Sequence, residues 1–200
     1  MKTLYMVFHP NLENSNVNKT WFNQVTESNS ATTVRDMATE YPDFNYDLEK
    51  EHEILLAHDR IVFQFPFYWY NGPWQLKKYI DDIFSYNFAF GPEGDKLSGK
   101  EFQAVASVGG PADSYTPGGY QNFTASEFFR PIQQTVTLAR MKYLPPYFMY
   151  SAVAVDEQHI KKHGEEIIEI IKDEDRADPF AAQRRITEKM LKNEDLNLDS

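Results

Sequence analysis

Three short segments hold the residues whose types and spacing can do chemistry. Residues 9–18 begin at His9-Pro10, continue through polar residues to Ser15, Asn16, Val17 and Asn18, and separate an apolar run from a helical pattern. Ser15 is a good helix cap. Successive backbone N–H groups at a helix start, helped by the side chains of Ser15, Asn16 and Asn18, can cradle a phosphate. No Walker lysine and no GxGxxG accompanies them, so neither a P-loop nor a dinucleotide-binding fingerprint is indicated. The same residues also suit an ordinary capped helix behind a polar loop, and His9 alone suits a structural hydrogen bond.

The second segment follows another apolar run. Pro66 breaks that run, and Phe67, Tyr68, Trp69, Tyr70 and Trp74 then place five aromatic rings in eight residues, with Asn71-Gly72-Pro73 between them. An apolar load of this size on a loop is costly in water and usually has a use. It can wall a planar ring while its backbone N–H groups reach polar ring edges; it can equally bury itself under a neighbouring helix or in a subunit interface. The third segment is Ser107-Val108-Gly109-Gly110-Pro111, with Tyr115 and Tyr120 on the loop beyond. Paired glycines let backbone approach a flat ligand closely. Turns need glycine too, and the tyrosines either hydrogen-bond a substrate or reduced cofactor or only pack.

Other constellations carry less. The chain has no cysteine, which excludes disulfides, thiolate catalysis and cysteine-bound metal. His159 and His163 share a helical spacing without an acidic third ligand, so no metal site is expected. Asp81-Asp82 reads as a solvated helix face, and no serine stands in a nucleophile elbow.

The elements that must position these loops alternate. Apolar runs at residues 4–8, 60–65 and 102–108, with weaker ones at 32–37 and within 143–155, read as strands. Helical spacing appears from about Ser15, over 48–57, 74–84, 125–139 and 156–172. Residues 86–100 and 111–123 read as long surface loops. Such alternation specifies a three-layer α/β fold, a five-stranded parallel sheet with helices on both faces and right-handed crossovers. Ligands then sit at the carboxyl ends of the strands, where all three segments fall. Residues 173–200 form a polar extension in which a helix over 178–192 is possible.

Bulk properties agree. Two hundred residues, 42% hydrophobic, suffice for one buried core. No apolar stretch nears the roughly 18 residues of a membrane span, and the N-terminus lacks a signal-peptide pattern, so a cytoplasmic protein is expected. Twenty basic against 30 acidic residues, a formal charge of −10, argue against nucleic-acid binding.

In several places the chain resembles the flavodoxin-like NAD(P)H:quinone oxidoreductases, the family of the DT-diaphorases. It is nearest to the ancillary flavoproteins of glutathione-gated potassium-efflux systems and to general stress NAD(P)H oxidoreductases. The resemblance covers residues 2–172. It rests on His9-Pro10 with Ser15 to Asn18, Tyr41-Pro42-Asp43-Phe44-Asn45, Phe65 to Tyr70, the helix at 74–84, Phe90-Gly91 with Leu97-Ser98-Gly99-Lys100, and Leu144-Pro145-Pro146. It implies one flavin-binding domain over 1–172. There FMN, or alternatively FAD, has its phosphate at His9 and Ser15 to Asn18, its ring against Pro66 to Tyr70, and its pyrimidine side at Val108 to Pro111. It further implies hydride transfer from NAD(P)H to a quinone-type acceptor in ping-pong fashion, a homodimer, and, as an alternative role, docking on the cytoplasmic domain of a potassium-efflux transporter. Tyr115 falls where the animal enzymes place a tyrosine that assists hydride transfer. Their partner histidine has no counterpart, since Tyr120 and Gln121 stand there, and the common Thr-Thr-Gly-Gly reads Ser107-Val108-Gly109-Gly110.

Overall fold

The first apolar run becomes β1 (Thr3–Val7), a strand with every residue buried. Leu4, Met6 and Phe8 enter one core, and Tyr5 and Val7 the other. Alternate residues of a strand face opposite ways, so a strand covered on both sides has no wet face and reads as continuously apolar. In the computed structural model, which describes residues 1–191, β1 pairs in parallel with β2 (Thr33–Asp36) and with β3 (Arg60–Pro66). Next to β3 lies β4 (Glu101–Ser107), again parallel. The fifth position is split into β5 (Lys142–Tyr143) and β6 (Tyr147–Met149), both paired with β4, so the sheet order is 2-1-3-4-5. The expected flavodoxin-like fold is therefore present.

The single late strand expected within 143–155 is instead two pieces. Pro145 and Pro146 lack the N–H a ladder needs. Opposite the gap Gln103 repairs the edge, donating its amide to the Pro145 carbonyl at 2.6 Å. Arg176 donates both to Gln103 Oε1 at 3.1 Å and to the Pro145 carbonyl at 3.2 Å. The segment just after residue 172 is thus stitched to the sheet through Arg176.

Helices α1 (Asn16–Ser28) and α7 (Glu157–Lys172) cover one face. The other holds α2 (Met37–Glu40), α3 (Leu48–Leu56), α4 (Trp74–Ile83), α5 (Ala125–Phe128) and α6 (Arg130–Leu138). The one helix expected over 125–139 breaks at Phe129, where Pro131 opens the next. After a 3-10 turn at Glu174–Ala177, α8 runs over Ala181–Leu191. The ends of the 178–192 helix and the 173–200 extension lie outside the described residues. Residues 86–100 differ from the surface loop expected: Phe88, Ala89 and Leu97 are buried in the core. Asp81 and Asp82 do lie on a polar face, paired with Lys77 and Lys78.

A buried ion cluster locks this second layer to the edge of the sheet. Glu51 of α3 is 0% exposed and Arg35 of β2 is 4% exposed. Arg35 donates to Glu51 at 2.7 and 2.6 Å, and Tyr41 and Tyr79 add O–H donors at 2.7 and 2.9 Å. The remaining Arg35 donors reach Glu40 at 2.9 and 2.6 Å. Burial and the neighbouring Glu51 carboxylate push Tyr41 up to about 12. A buried charge is tolerated only when its lone pairs are filled, and removing one partner typically costs about 3–5 kcal/mol. Glu51→Ala is accordingly expected to lose about 3 kcal/mol of unfolding free energy in urea denaturation, and a loss below about 1 kcal/mol would refute the lock.

Candidate functional site

The carboxyl ends of β1, β3, β4 and β6 lie at one edge of the sheet, and in a 2-1-3-4-5 order the switch point falls between β1 and β3. Beyond β1 the chain passes His9 and a 3-10 turn at Leu12–Asn14 to Ser15, which caps α1 by accepting the Asn18 N–H at 3.1 Å. The N–H groups of Asn16 and Val17 have no acceptor among the described residues. Such orphan donors at a helix start attract an anion. His9 is buried and accepts the Asn11 N–H on Nδ1 at 3.0 Å. Burial lowers its pKa. The ring is therefore neutral with its proton on Nε2, a donor without a partner among the described residues.

Asn18 departs from the side-chain contact its place in the cradle suggests. Its amide is buried and turned inward, donating to Ser107 Oγ at 3.0 Å. Its carbonyl groups accept the Gln64 amide at 2.8 and 3.0 Å, and Gln64 in turn accepts Tyr5 O–H at 2.7 Å. Asn18 holds the cradle in place from behind. Val17 likewise offers only its backbone, because its side chain is in the core.

The aromatic segment after β3 is a two-residue hairpin. Tyr68 and Asn71 exchange both backbone hydrogen bonds, at 2.8 and 3.0 Å. The central residues Trp69 and Tyr70 have φ of 48° and 68°. Positive φ at both centres is the type I′ turn, which favours Asn-Gly. Two aromatic residues there are strained. The N–H groups of Trp69 and Tyr70, outside the Tyr68–Asn71 pair, find no acceptor among the described residues. Pro66 is the buried last residue of β3, and Phe67 donates its N–H to the Ser107 carbonyl at 2.9 Å. Tyr68 lies 6.3 Å from His9, ring to ring, and Tyr70 packs 4.8 Å from Phe128. Trp69 at the tip is 91% exposed.

At the end of β4, Val108 is scaffold rather than contact. Its side chain is buried, its N–H goes to Met149 and its carbonyl accepts from Ala152. The N–H groups of Gly109 and Gly110 have no acceptor among the described residues, while Ser151 donates to the Gly110 carbonyl at 2.9 Å. A Cβ at Gly110 would lie 3.1 Å from the Tyr115 ring and 3.4 Å from the Tyr120 hydroxyl, so both tyrosines lean on this glycine. Pro111 leads into a 3-10 turn, Ala112–Ser114, that carries Tyr115 under Phe67, Phe128 and Tyr150, at 6.0, 6.3 and 5.7 Å. Burial, then the neighbouring phenols, raise the Tyr115 pKa. Its phenol is a donor at neutral pH.

The three segments thus meet. His9 touches Tyr68, Asn18 bonds Ser107, and Phe67 bonds the same serine's carbonyl. The donor set is a neutral cradle at one end, then bare N–H groups of the hairpin and the glycine pair flanked by aromatic walls. It suits a flat, polar-edged ring with a phosphate tail. Sequence reasoning missed Tyr150, which closes the site beside Tyr115; placing the end of the last strand at Met149 would have found it. Ser107 was read only as the residue that opens the glycine segment, whereas its Oγ, which accepts from Asn18, is the joint between loops.

Residues 1–171 match the family described as flavodoxin-like fold. The Bacillus subtilis protein YrkL, an uncharacterized NAD(P)H oxidoreductase, is 43% identical over 174 residues, covering 87% of this chain and 99% of its own. KefG of Cronobacter sakazakii, an ancillary protein of the glutathione-regulated potassium-efflux system, is 34% identical over 82% of this chain and 88% of its own. Among solved structures, general stress protein 14 of Treponema denticola in complex with FMN is 30% identical with a TM-score of 0.80, over 86% of this chain and 98% of its own. An NADPH-quinone reductase of P. pentosaceus is 28% identical with a TM-score of 0.74, over 84% and 98%.

Relief of the hairpin tests the strain. Exchanging Trp69 and Tyr70 for the preferred pair (Trp69→Asn with Tyr70→Gly) should raise unfolding free energy by about 1 kcal/mol. Urea denaturation measures it, and an unchanged or lower midpoint would show that the turn stores no strain.

Proposed function

The chain belongs to the flavodoxin-like fold family, and we propose that it is a cytoplasmic FMN-dependent NAD(P)H oxidoreductase that reduces quinone-type acceptors. The observation that carries this reading is the convergence of the three loops at the carboxyl ends of β1, β3 and β4, each with donors left bare. The similarity to NAD(P)H oxidoreductases, to an FMN complex and to a quinone reductase supports it. FMN, when bound, would supply the two-electron redox chemistry by which NAD(P)H, a proton and a quinone become NAD(P)+ and hydroquinone in a ping-pong cycle.

The chain's own residues do the rest. His9 Nε2, the Ser15 hydroxyl and the N–H groups of Asn16 and Val17 hold the phosphate. Trp69 and Tyr70 N–H groups face one polar edge of the ring, and Gly109 and Gly110 N–H groups face the pyrimidine side, where reduction builds negative charge. Phe67 and Tyr115 wall the site and exclude water. Tyr115 and Tyr120 present phenolic O–H groups to the acceptor; they orient it and can give up a proton as its oxygens gain charge.

The rim supports a homodimer. Trp69, Tyr120, Phe123 and Val153 are all largely exposed beside the site. An apolar rim of this kind is covered in most proteins that carry one. A second role as a subunit of a potassium-efflux system is favoured by the identity with KefG. Co-purification with the transporter's cytoplasmic domain supports that role, and failure of a flavin-loaded sample to bind removes it.

Purified protein should be yellow, release FMN on acid treatment and oxidise NAD(P)H with benzoquinone. His9→Ala and Ser15→Ala should each weaken FMN binding about tenfold, the worth of one hydrogen bond to a charged group. Fluorescence titration reads this. Colourless protein that refuses added FMN overturns the proposal, as does an FMN complex inert to NAD(P)H. Sedimentation of the loaded protein as a monomer would remove the dimer.

A further inference from the structure

Four phenols meet at the mouth of the site. Tyr115 and Tyr150 pack at 5.7 Å with their planes tilted by 46°. The Tyr120 hydroxyl reaches the same Gly110 position that Tyr115 touches. Tyr70 stands across Phe128 from Tyr115, 4.8 Å from that ring. None of the four hydroxyls has a hydrogen-bond partner among the described residues. Elsewhere Tyr5, Tyr41, Tyr46, Tyr79 and Tyr147 each donate to a named acceptor, while Tyr68, Tyr86 and Tyr143 have none among the described residues.

Tyr150 is held in this position from two sides. Its ring rests on Phe148, at 6.0 Å. The residue after it, Ser151, has a φ of 59° and ties the turn to the glycine loop through the Gly110 carbonyl. The Tyr115 and Tyr150 hydroxyls are open to solvent and so to a ligand. A donor kept bare beside another bare donor suits a ligand that brings acceptors.

Resting on the reductase reading, we propose that Tyr150 is a specificity residue of the acceptor slot: its hydroxyl and that of Tyr115 converge on a carbonyl oxygen of a quinone-type acceptor, with Tyr70 and Tyr120 at the rim. Burial raises both the Tyr115 and Tyr150 pKa, so both phenols remain donors throughout the neutral range. The preferred acceptor is therefore one with ring carbonyl oxygens.

Tyr150→Phe tests this, because it keeps the ring and its packing and removes only the hydroxyl. In the full-length FMN-loaded protein, KM for benzoquinone should rise five- to tenfold, with a smaller change in kcat. Reduction of ferricyanide, which needs no seat in the slot, should fall less. Hydroquinone affinity, read by tryptophan fluorescence without turnover, should drop by the same five- to tenfold, and Tyr150→His should restore part of it. An unchanged hydroquinone affinity in Tyr150→Phe overturns the inference, as does an equal loss with both acceptors. The fluorescence titration also separates the two readings: missing NAD(P)H turnover defeats the reductase, and an unaltered affinity defeats the role of Tyr150.

Discussion

A single buried chain of hydrogen bonds decides whether this molecule has a site at all. Tyr5 of β1 donates to Gln64 of β3, Gln64 donates to Asn18 of α1, and Asn18 donates to Ser107 at the end of β4. All four residues are buried, where an amide left unpaired would cost a few kcal/mol. Because every link is satisfied, the chain is stable only in one arrangement of its four elements. That arrangement sets the start of α1 level with the glycine pair after β4. A register slip of one residue in β3 would turn Gln64 to the other face and break each link.

Once the strand ends are level, the remaining requirement is to keep backbone donors unused. The hairpin does so at its turn, where the N–H groups of the left-handed Trp69 and Tyr70 find no acceptor among the described residues. The glycine pair does so by lacking side chains: the Tyr115 ring occupies the space a Cβ on Gly110 would need. Val108, one residue earlier, shows the contrast, because both of its backbone groups are consumed by the ladder to β6 and the loop beyond it. The site begins where the sheet's hydrogen bonding ends.

Much of this is legible in the sequence. The apolar runs at β1, β3 and β4 fit only strands buried on both faces, and their spacing to amphipathic segments fits only an alternating topology. The loops were legible too, since polar, aromatic and glycine-rich compositions each stand directly after a strand. What could not be read is whatever depends on which way a side chain turns. Asn18 looks like a phosphate ligand beside Ser15 and is instead an internal strut. Glu51 sits in a charged helical stretch that reads as a wet face, yet it lies at 0% exposure with Arg35, because α3 is pressed against the end of β2. Tyr150 was hidden by the broken final strand, whose prolines blur where the ladder stops.

The electrostatics of the site show why it uses dipoles. Residues 9–18, 66–73, 108–124 and 150–156 contain no lysine or arginine, while Glu13, Asp113 and Asp156 stand among them. Lys19, just inside α1, is paired with Glu13 at 2.6 Å. With a formal charge of −10, the protein does not steer an anion to this edge. Steering governs the rate of encounter, whereas a resident group needs slow release. In the proposed reading, fixed N–H groups at a helix start, a neutral imidazole and a serine hydroxyl would give that retention without a mobile cation near a ring whose charge must change in use. A lysine in the cradle would strengthen binding of the phosphate and also pull the potential of a nearby ring upward at every stage of the cycle. A neutral cradle decouples how tightly the tail is held from how readily the ring gives up its electrons.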